Sequence, residues 1–283
     1  MEKHIKCLIK ACDNLNITFA PIDKESNFLR IDVSGKYEYF QVNRTPFNSE
    51  VVYCICKDKM HSYELVYDKI NMPKTLSFLD CQVDEKYRKY IKHDSELAVI
   101  AAIESELEYP VVIKKNQGAL GENVYLCRNR DDATTAIQTI FNKQSNTYDY
   151  IALAQQYIPT QEEYRLVCAF GKPVLTYQRG NASEFNKEYW LHGEDALLIE
   201  DLKLIDELYQ FVKPIYSIID IGFVGFDIIR GKDDKLYLIE LNSSPRFDHI
   251  IDASGEKCVI EMYEKSLSLF SEKLKQQSLI PEY

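Results

Sequence analysis

Apolar and polar positions recur with two different periods along this chain of 283 residues. Near the start, Ile5, Leu8, Ile9 and Cys12 follow three- and four-residue spacing, which puts them on one face of a helix. The period then drops to two. "NFLRIDVSGKYEYFQV" (27–42) reads as a hairpin turning at Ser34-Gly35. Thr45, Pro46 and Asn48 mark a loop. A helix is predicted through "SYELVYDKI", stopping before "NMP". Another is predicted over 84–107, where "SELAVIAAIESELE" is the strongest stretch and Ser95 is placed to cap it.

After Pro110 the texture changes. "VVIKK", "NVYLCRN", "IALAQQYI", "YRLVCAF" and "KPVLTYQR" are five strand-like runs, most of them separated by Gly, Asn or Pro, with one helix at about 131–143 among them. A further helix is predicted over about 194–219. "GFVGFDIIRG" and "KLYLIELN" then form a pair joined across "GKDDK". No repeat, low-complexity tract or flexible linker interrupts the pattern, so the parts are expected to share one compact body.

Composition narrows the function. A formal net charge of -10 argues against general coating of nucleic acid, whose phosphates would be repelled. The scattered aromatics form no stripe for stacking bases. Eight cysteines include no C-x-x-C pair and mostly sit in apolar surroundings, so they read as reduced core residues of a cytoplasmic protein. The longest membrane candidate, "LAVIAAI" (97–103), is far too short to span a bilayer, and the N-terminus lacks the apolar run of a signal peptide.

Two acids stand out against this background. Asp227 and Glu240 lie inside strongly apolar strands, where a carboxylate is costly unless something positive meets it. Strand side chains alternate, so Glu240 and Asn242 share a face. Pairing about a turn at 233–234 brings Asp227 opposite Glu240, at the roughly 5 Å typical of cross-strand neighbours. Two acids and an amide oxygen on one face suit Mg²⁺ or Mn²⁺, which fills its shell from water and phosphate. The spacing alone equally allows buried lysines or arginines as their partners.

Phosphate-binding elements are present elsewhere. "YPVVIKKNQGALGENVYLC" ends an apolar strand on Lys114 and continues into a polar loop with Gly118 and Gly121. Glycines let backbone N–H groups approach an anion, and the lysine supplies a point charge. The G-K-[ST] ending of a Walker loop is missing, so the stretch reads as a hairpin flap, although two glycines in a turn also simply make a turn. Arg165 in "EEYRLVC" and Arg179 in "LTYQRGN" interrupt or end apolar strands, where charges are seldom buried without a partner. For either arginine alone, a salt bridge to an acidic residue is the plainer role.

In their order, "DK" (58–59), "YPVVIKK..GALGENV", "ALAQQYIPTQEEYRLVCAFGKPV" and "GFVGFDII...DDKLYLIELNSSP" resemble the ATP-grasp superfamily over roughly 50–250. The last segment is the most specific, with E-x-N-x-S-P beginning thirteen residues after the Asp of G-x-D. Within the superfamily the chain is similar to amino-acid and peptide ligases: the glutathione-synthetase module of bifunctional bacterial enzymes, cyanophycin synthetase and ribosomal-protein glutamate ligases. The resemblance implies an α+β (mixed α/β) fold whose two subdomains grip a nucleotide. Residues 1–55 would be a short substrate-side segment, 56–155 a central part including the ATP lid (about 75–155), and 156–283 the subdomain with the metal site.

Carried over residue by residue, the resemblance implies that Lys59 and Lys114 bind nucleotide and that the loop through Gly118 and Gly121 covers its phosphates. Gln155, Gln156, Tyr157 and Ile158 would meet adenine through their backbone, and Glu163 would hold the ribose hydroxyls. Arg165 and Arg179 match arginines that approach the γ-phosphate or the substrate carboxylate. Asp227, Glu240 and Asn242 match the ligands of two magnesium ions, with Glu240 bridging them. There are departures. The hinge "AQQYI" lacks the acidic residue that many relatives have, Lys115 replaces a proline, and Arg246 stands where glycine is common, which would either narrow the acceptor pocket or add a carboxylate-binding group.

The activity implied is ATP-dependent amide-bond formation through an acyl-phosphate, on an amino acid or small peptide, or on a protein or carrier acceptor. Dimers are common among the relatives. Two other classes stay open: a regulatory module that binds nucleotide without turnover, and a kinase that phosphorylates a hydroxyl. The presence together of Lys114, Arg179, Asp227, Glu240 and Asn242 argues against the first. Trp190 and His192 in "NASEFNKEYWLHGED" are candidates for substrate contact, although packing and solvent exposure are the commoner roles.

Overall fold

The computed structural model describes residues 1–118, 121–179, 185 and 196–278. Helix α1 (Lys3–Asn14) buries Ile5, Leu8 and Cys12 on the face that their spacing predicts. Strand β1 (Phe19–Pro21) joins the hairpin of β2 (Phe28–Val33) and β3 (Lys36–Gln41) in a small antiparallel sheet. That hairpin turns at Ser34 and Gly35, both at positive φ (56° and 78°), the conformation that matches the twist of the flanking strands.

Two short helices follow, α2 (Glu50–Lys57) and α3 (Lys59–Val66). Apolar spacing predicts only the second. Asp58 explains the division: its backbone is extended, so it ends α2, and its side chain accepts from the His61 N–H, so it caps α3.

A four-stranded antiparallel sheet comes next, in the order β4–β7–β5–β6. Its strands are β4 (Thr75–Leu79), β5 (Val111–Lys115), β6 (Val124–Cys127) and β7 (Ile151–Gln156). Helices α4 (Glu96–Glu106), capped by Ser95, and α5 (Arg130–Ile140) pack Val99, Ile103, Ala133 and Ile137 against Val111 and Ile113. Lys114, the residue after Ile113, points to the other face. The helix expected over 84–107 begins only at Glu96. Residues 85–90 form an exposed 3-10 turn, because "EKYRKY" offers no apolar face to bury.

The larger sheet has the order β10–β9–β8–β11–β12, built from β8 (Thr160–Ala169), β9 (Lys172–Arg179), β10 (Ala196–Leu198), β11 (Phe223–Gly231) and β12 (Leu236–Asn242). One face packs Leu166, Cys168, Val224, Phe226 and Ile228 against α6 (Leu202–Val212) and the 3-10 turn behind it. The other face packs Val167, Ala169, Leu175 and Phe223 against α1, α7 (Asp248–Ser254) and α8 (Lys257–Ser278). The beginning and end of the chain thus share one core. The helix expected over 194–219 is shorter, because Ala196–Leu198 joins the sheet edge and Asp201 caps α6.

The β11–β12 register decides which acids face each other. Ile228, Ile229 and Arg230 pair with Leu238, Tyr237 and Leu236, a ladder that would set Ile239 opposite Asp227. A bulge at that point advances β12 by one residue, so Asp227 pairs with Glu240. Spacing alone predicts the same pair, but from a turn centre half a residue too late rather than from a bulge. Among the described residues no helix is long and apolar enough to cross a membrane.

Candidate active site

Across four neighbouring strands, Tyr177, Arg165, Asp227 and Glu240 are successive cross-strand partners. Such partners share a face, so antiparallel pairing alone lines up an arginine between an aromatic ring and two acids. Two residues further along β9 and back along β8, Arg179 and Glu163 form a second pair on the same face, 3.1 Å apart. Gly225 lies two residues before Asp227. A Cβ there would meet Pro245 at 3.2 Å and the Arg165 side chain at 3.3 Å, which accounts for the glycine of the G-x-D pattern.

Asp227 is the electrostatic centre. Arg165 donates to both of its oxygens, Nε to Oδ1 at 2.6 Å and Nη2 to Oδ2 at 2.7 Å, and Arg179 Nη1 donates to Oδ2 at 2.8 Å. Asp227 is 4% exposed and Arg165 3%. Burial pushes the Asp227 carboxyl up, but the two guanidiniums outweigh it and hold its pKa down at about 2. Of the two partner types that the spacing allowed, the described residues therefore supply arginines.

The smaller sheet supplies the opposite wall. Lys114, on the face away from α4 and α5, donates to Gln155 Oε1 at 3.0 Å, and Gln155 in turn donates to Thr75. Burial pushes the Lys114 ammonium down to about 8, Glu240 and Asp227 opposing the shift and Lys59 adding to it. Lys59 opens α3. Its ammonium donates to the Gly118 carbonyl at 3.0 Å and lies 3.6 Å from Glu240, so it connects the flap to the larger sheet. Asn116, 1% exposed, holds this junction together: it accepts from the Met60 N–H and donates to Asp58. Gly121, at a φ of 69°, lies in the same flap.

The residues expected to form the hinge, 155–158, sit at and just after the end of β7. Gln156 is exposed, its N–H donating to the Lys74 carbonyl; Tyr157 packs edge-on to Phe185; Ile158 is buried. Glu163 begins the next strand's functional face. Its side chain is still 35% exposed, yet desolvation of its carboxylate by the surrounding protein pushes the carboxyl up, Asp227 adding to this and Arg179 opposing. Asn242 is half-buried, its Oδ1 accepting from the Ser244 N–H, and Arg246 is exposed. Trp190 and His192 lie outside the described residues.

The sum of charge shows what this arrangement can hold. Among the described residues, four cations (Lys59, Lys114, Arg165, Arg179) face three carboxylates (Glu163, Asp227, Glu240), an excess of one positive charge with several N–H donors converging on one place. A polyphosphate fits such a wall. The divalent cation is a narrower fit. Glu240 and Asn242 are half-buried oxygen donors on one face, but Asp227 has three of its four lone-pair positions occupied by guanidinium donors. It offers one remaining position.

Three participants were not legible as site residues in the sequence. Asn116 follows the "VIKK" strand end directly, and a polar residue there was the available signal. Thr75 and His249 carried none. His249, one residue into α7, is pushed down to about 4 by burial and by Arg165 and Arg179, so it lies within electrostatic reach of the arginine cluster.

Comparison with known proteins agrees with this geometry. Residues 56–265 match the RimK-like ATP-grasp domain. A Coenzyme gamma-F420-2:alpha-L-glutamate ligase of Methanocaldococcus jannaschii is 25% identical over 182 residues, 64% of this chain and 55% of the relative. A probable alpha-L-glutamate ligase of Histophilus somni is 26% identical over 160 residues, 56% of this chain and 50% of the relative. A bifunctional glutathione synthetase structure from Pasteurella multocida has a TM-score of 0.53 at 15% identity, covering 93% of this chain and 43% of that one, a likeness of fold. The chain spans about half the length of the curated relatives it matches. With most of its length inside the matched region, the chain belongs to the RimK-like ATP-grasp domain family.

Proposed function

We propose that this protein is an ATP-dependent carboxylate–amine ligase acting on an amino acid or small peptide, or on an acceptor carried by a protein. The observation that carries this reading is the convergence of Lys59, Lys114, Arg165 and Arg179 on Asp227 and Glu240, together with glutamate ligases among the relatives.

In this reading the nucleotide lies between the two sheets. Lys59 and Lys114 neutralise its phosphates, the flap through Gly118 and Gly121 covers them, residues 155–158 meet the base, and Glu163 accepts from the ribose. Glu240, Asn242 and the open position on Asp227 would hold Mg²⁺ or Mn²⁺, one or two ions. When bound, the metal supplies positive charge to the phosphate oxygens. The substrate carboxylate attacks the γ-phosphorus, ADP leaves, and an acyl-phosphate forms. Arg179 and Lys114 offset charge on the transferring group. An amine then attacks the carbonyl carbon, phosphate departs, and the amine loses a proton. Water would destroy the acyl-phosphate, so closure of the smaller sheet and its helices over the site protects the intermediate.

Residues 56–155 and 156–283 are then the two jaws, and 1–55 the substrate side. A cytoplasmic setting is consistent with eight unpaired cysteines. A homodimer is compatible with this organisation.

Hydroxylamine tests the intermediate. Incubation with ATP, Mg²⁺ and the carboxylate substrate should give a hydroxamate in step with ADP. ADP formed without hydroxamate, at saturating hydroxylamine, would exclude a free acyl-phosphate. One observation favours a second reading, a nucleotide-binding module without turnover: both Asp227 oxygens are engaged by arginine. ATP binding with no ADP from any substrate pool would select it.

A further inference from the structure

Away from the nucleotide wall, α1 meets the start of α7. The ligand atoms of Glu2, His4 and Asp248 there all lie within 4.8 Å of one another. Two carboxylates this close repel each other, but Lys3 lies within electrostatic reach of Asp248 and Arg246 of His4, so the carboxylates by themselves do not require a metal. His4 is the second, independent sign. It is 1% exposed, and neither ring nitrogen has a hydrogen-bond partner. The backbone at Val42 favours its protonated form but makes no hydrogen bond of acceptable geometry with it. A buried imidazole with two unsatisfied nitrogens is costly, and a metal ion on its one lone pair would relieve the part of that cost that falls on the acceptor nitrogen.

The geometry points to a divalent-metal site formed by His4, Glu2 and Asp248, with the chemistry of Zn²⁺. One imidazole and two carboxylates form a mixed nitrogen and oxygen set, which suits zinc better than magnesium or calcium. Three protein ligands leave a position for water. The scaffold is already in place. The Glu2 N–H donates to the Asn27 side chain at 2.8 Å, and the Glu2 carbonyl accepts from the first turn of α1. Asp248 opens α7, and one turn on Asp252 pairs with Lys3, so the two helices are fixed on either side of the triad. The metal ties residues 2–4 to a helix whose next residue, His249, lies within electrostatic reach of Arg165 and Arg179. It therefore clamps the first helix to the segment that follows the Glu240–Asn242 strand.

The test uses the whole chain, stripped of metal by chelation and titrated with Zn²⁺ by calorimetry. Wild type should bind one Zn²⁺ at this site and show a higher thermal midpoint when loaded. Glu240→Gln should retain that binding, which separates the site from the proposed magnesium ligands. Asp248→Asn and His4→Gln should each weaken binding by about 100-fold or more and abolish the thermal gain. If His4→Gln fails to fold, Asp248→Asn decides alone, because Asp248 is only partly buried at a helix start. No zinc bound by wild type, or binding unchanged in Asp248→Asn, overturns the proposal.

Discussion

Replacing Asp227 with Asn separates the two roles that this residue can have. The side chain keeps its shape and loses its charge, while Arg165 and Arg179 stay behind in a region 3–8% exposed. A carboxyl held at about 2, against 3.8 ordinarily, marks a preference for the charged form of about 2 kcal/mol. Leaving buried Arg165 without its counter-charge costs about 3–5 kcal/mol, while Arg179 keeps its ion pair with Glu163. Urea denaturation should therefore show a loss of about 3–5 kcal/mol, the midpoint moving while the slope stays constant. Nucleotide binding should respond in the opposite sense. The formal excess of positive charge at the wall rises from one to two, so free ATP in the presence of a chelator should bind as well as before or several-fold tighter. Turnover with Mg²⁺ should disappear. A stability loss under 1 kcal/mol, or chelator-resistant ATP binding weakened tenfold, would refute the assignment of Asp227 as chiefly the counter-charge of the two arginines. The pH dependence has the same origin. A depressed carboxyl contributes fully above about pH 4, and that stability is lost as pH falls through about 2.

Glu240→Gln should abolish Mg²⁺-dependent turnover while changing unfolding free energy by less than about 1 kcal/mol, because its ion pair with Lys59 is long, at 3.6 Å, and part-exposed; activity at the wild-type level would remove Glu240 from the metal set. Lys114, pushed down to about 8, should regain its proton when phosphate arrives, so ATP affinity should fall as pH rises above 8, and calorimetry in buffers of different ionisation enthalpy should show proton uptake. A pH-independent affinity between 7 and 9.5 would mean that Lys114 does not meet the phosphates. Gly222→Ala should prevent folding or cost several kcal/mol, since a Cβ would stand 1.9 Å from the Phe47 carbonyl oxygen, backbone that cannot move aside; a thermal midpoint within a few degrees of wild type would contradict this packing.

What could be read in the sequence was local. The hairpin at Ser34-Gly35, the Ser95 cap and the five strand runs depend on neighbours within a few residues, and the structure has them. The split at Asp58 was not legible because one residue both ends α2 and starts α3, and α2 itself is rich in residues of modest helix propensity. Asp227 shows the limit most clearly. Spacing put it opposite Glu240, but its actual partners come from β8 and β9, 62 and 48 residues away, through pairings that no local pattern specifies. The meeting of His4 with Asp248 is more distant still and depends on α1 and α7 sharing a core. The mixed α/β fold and family were accessible because motif order survives where contacts are invisible.

The most direct measurement is Mg²⁺-dependent ADP release from the purified protein, screened against pooled amino acids and short peptides. The ligase account predicts release that needs two components, one bearing a carboxylate and one an amine, with one amide formed for each ADP. Release driven by a hydroxyl compound alone, or ATP bound with no ADP formed in any pool or with protein acceptors, would contradict it.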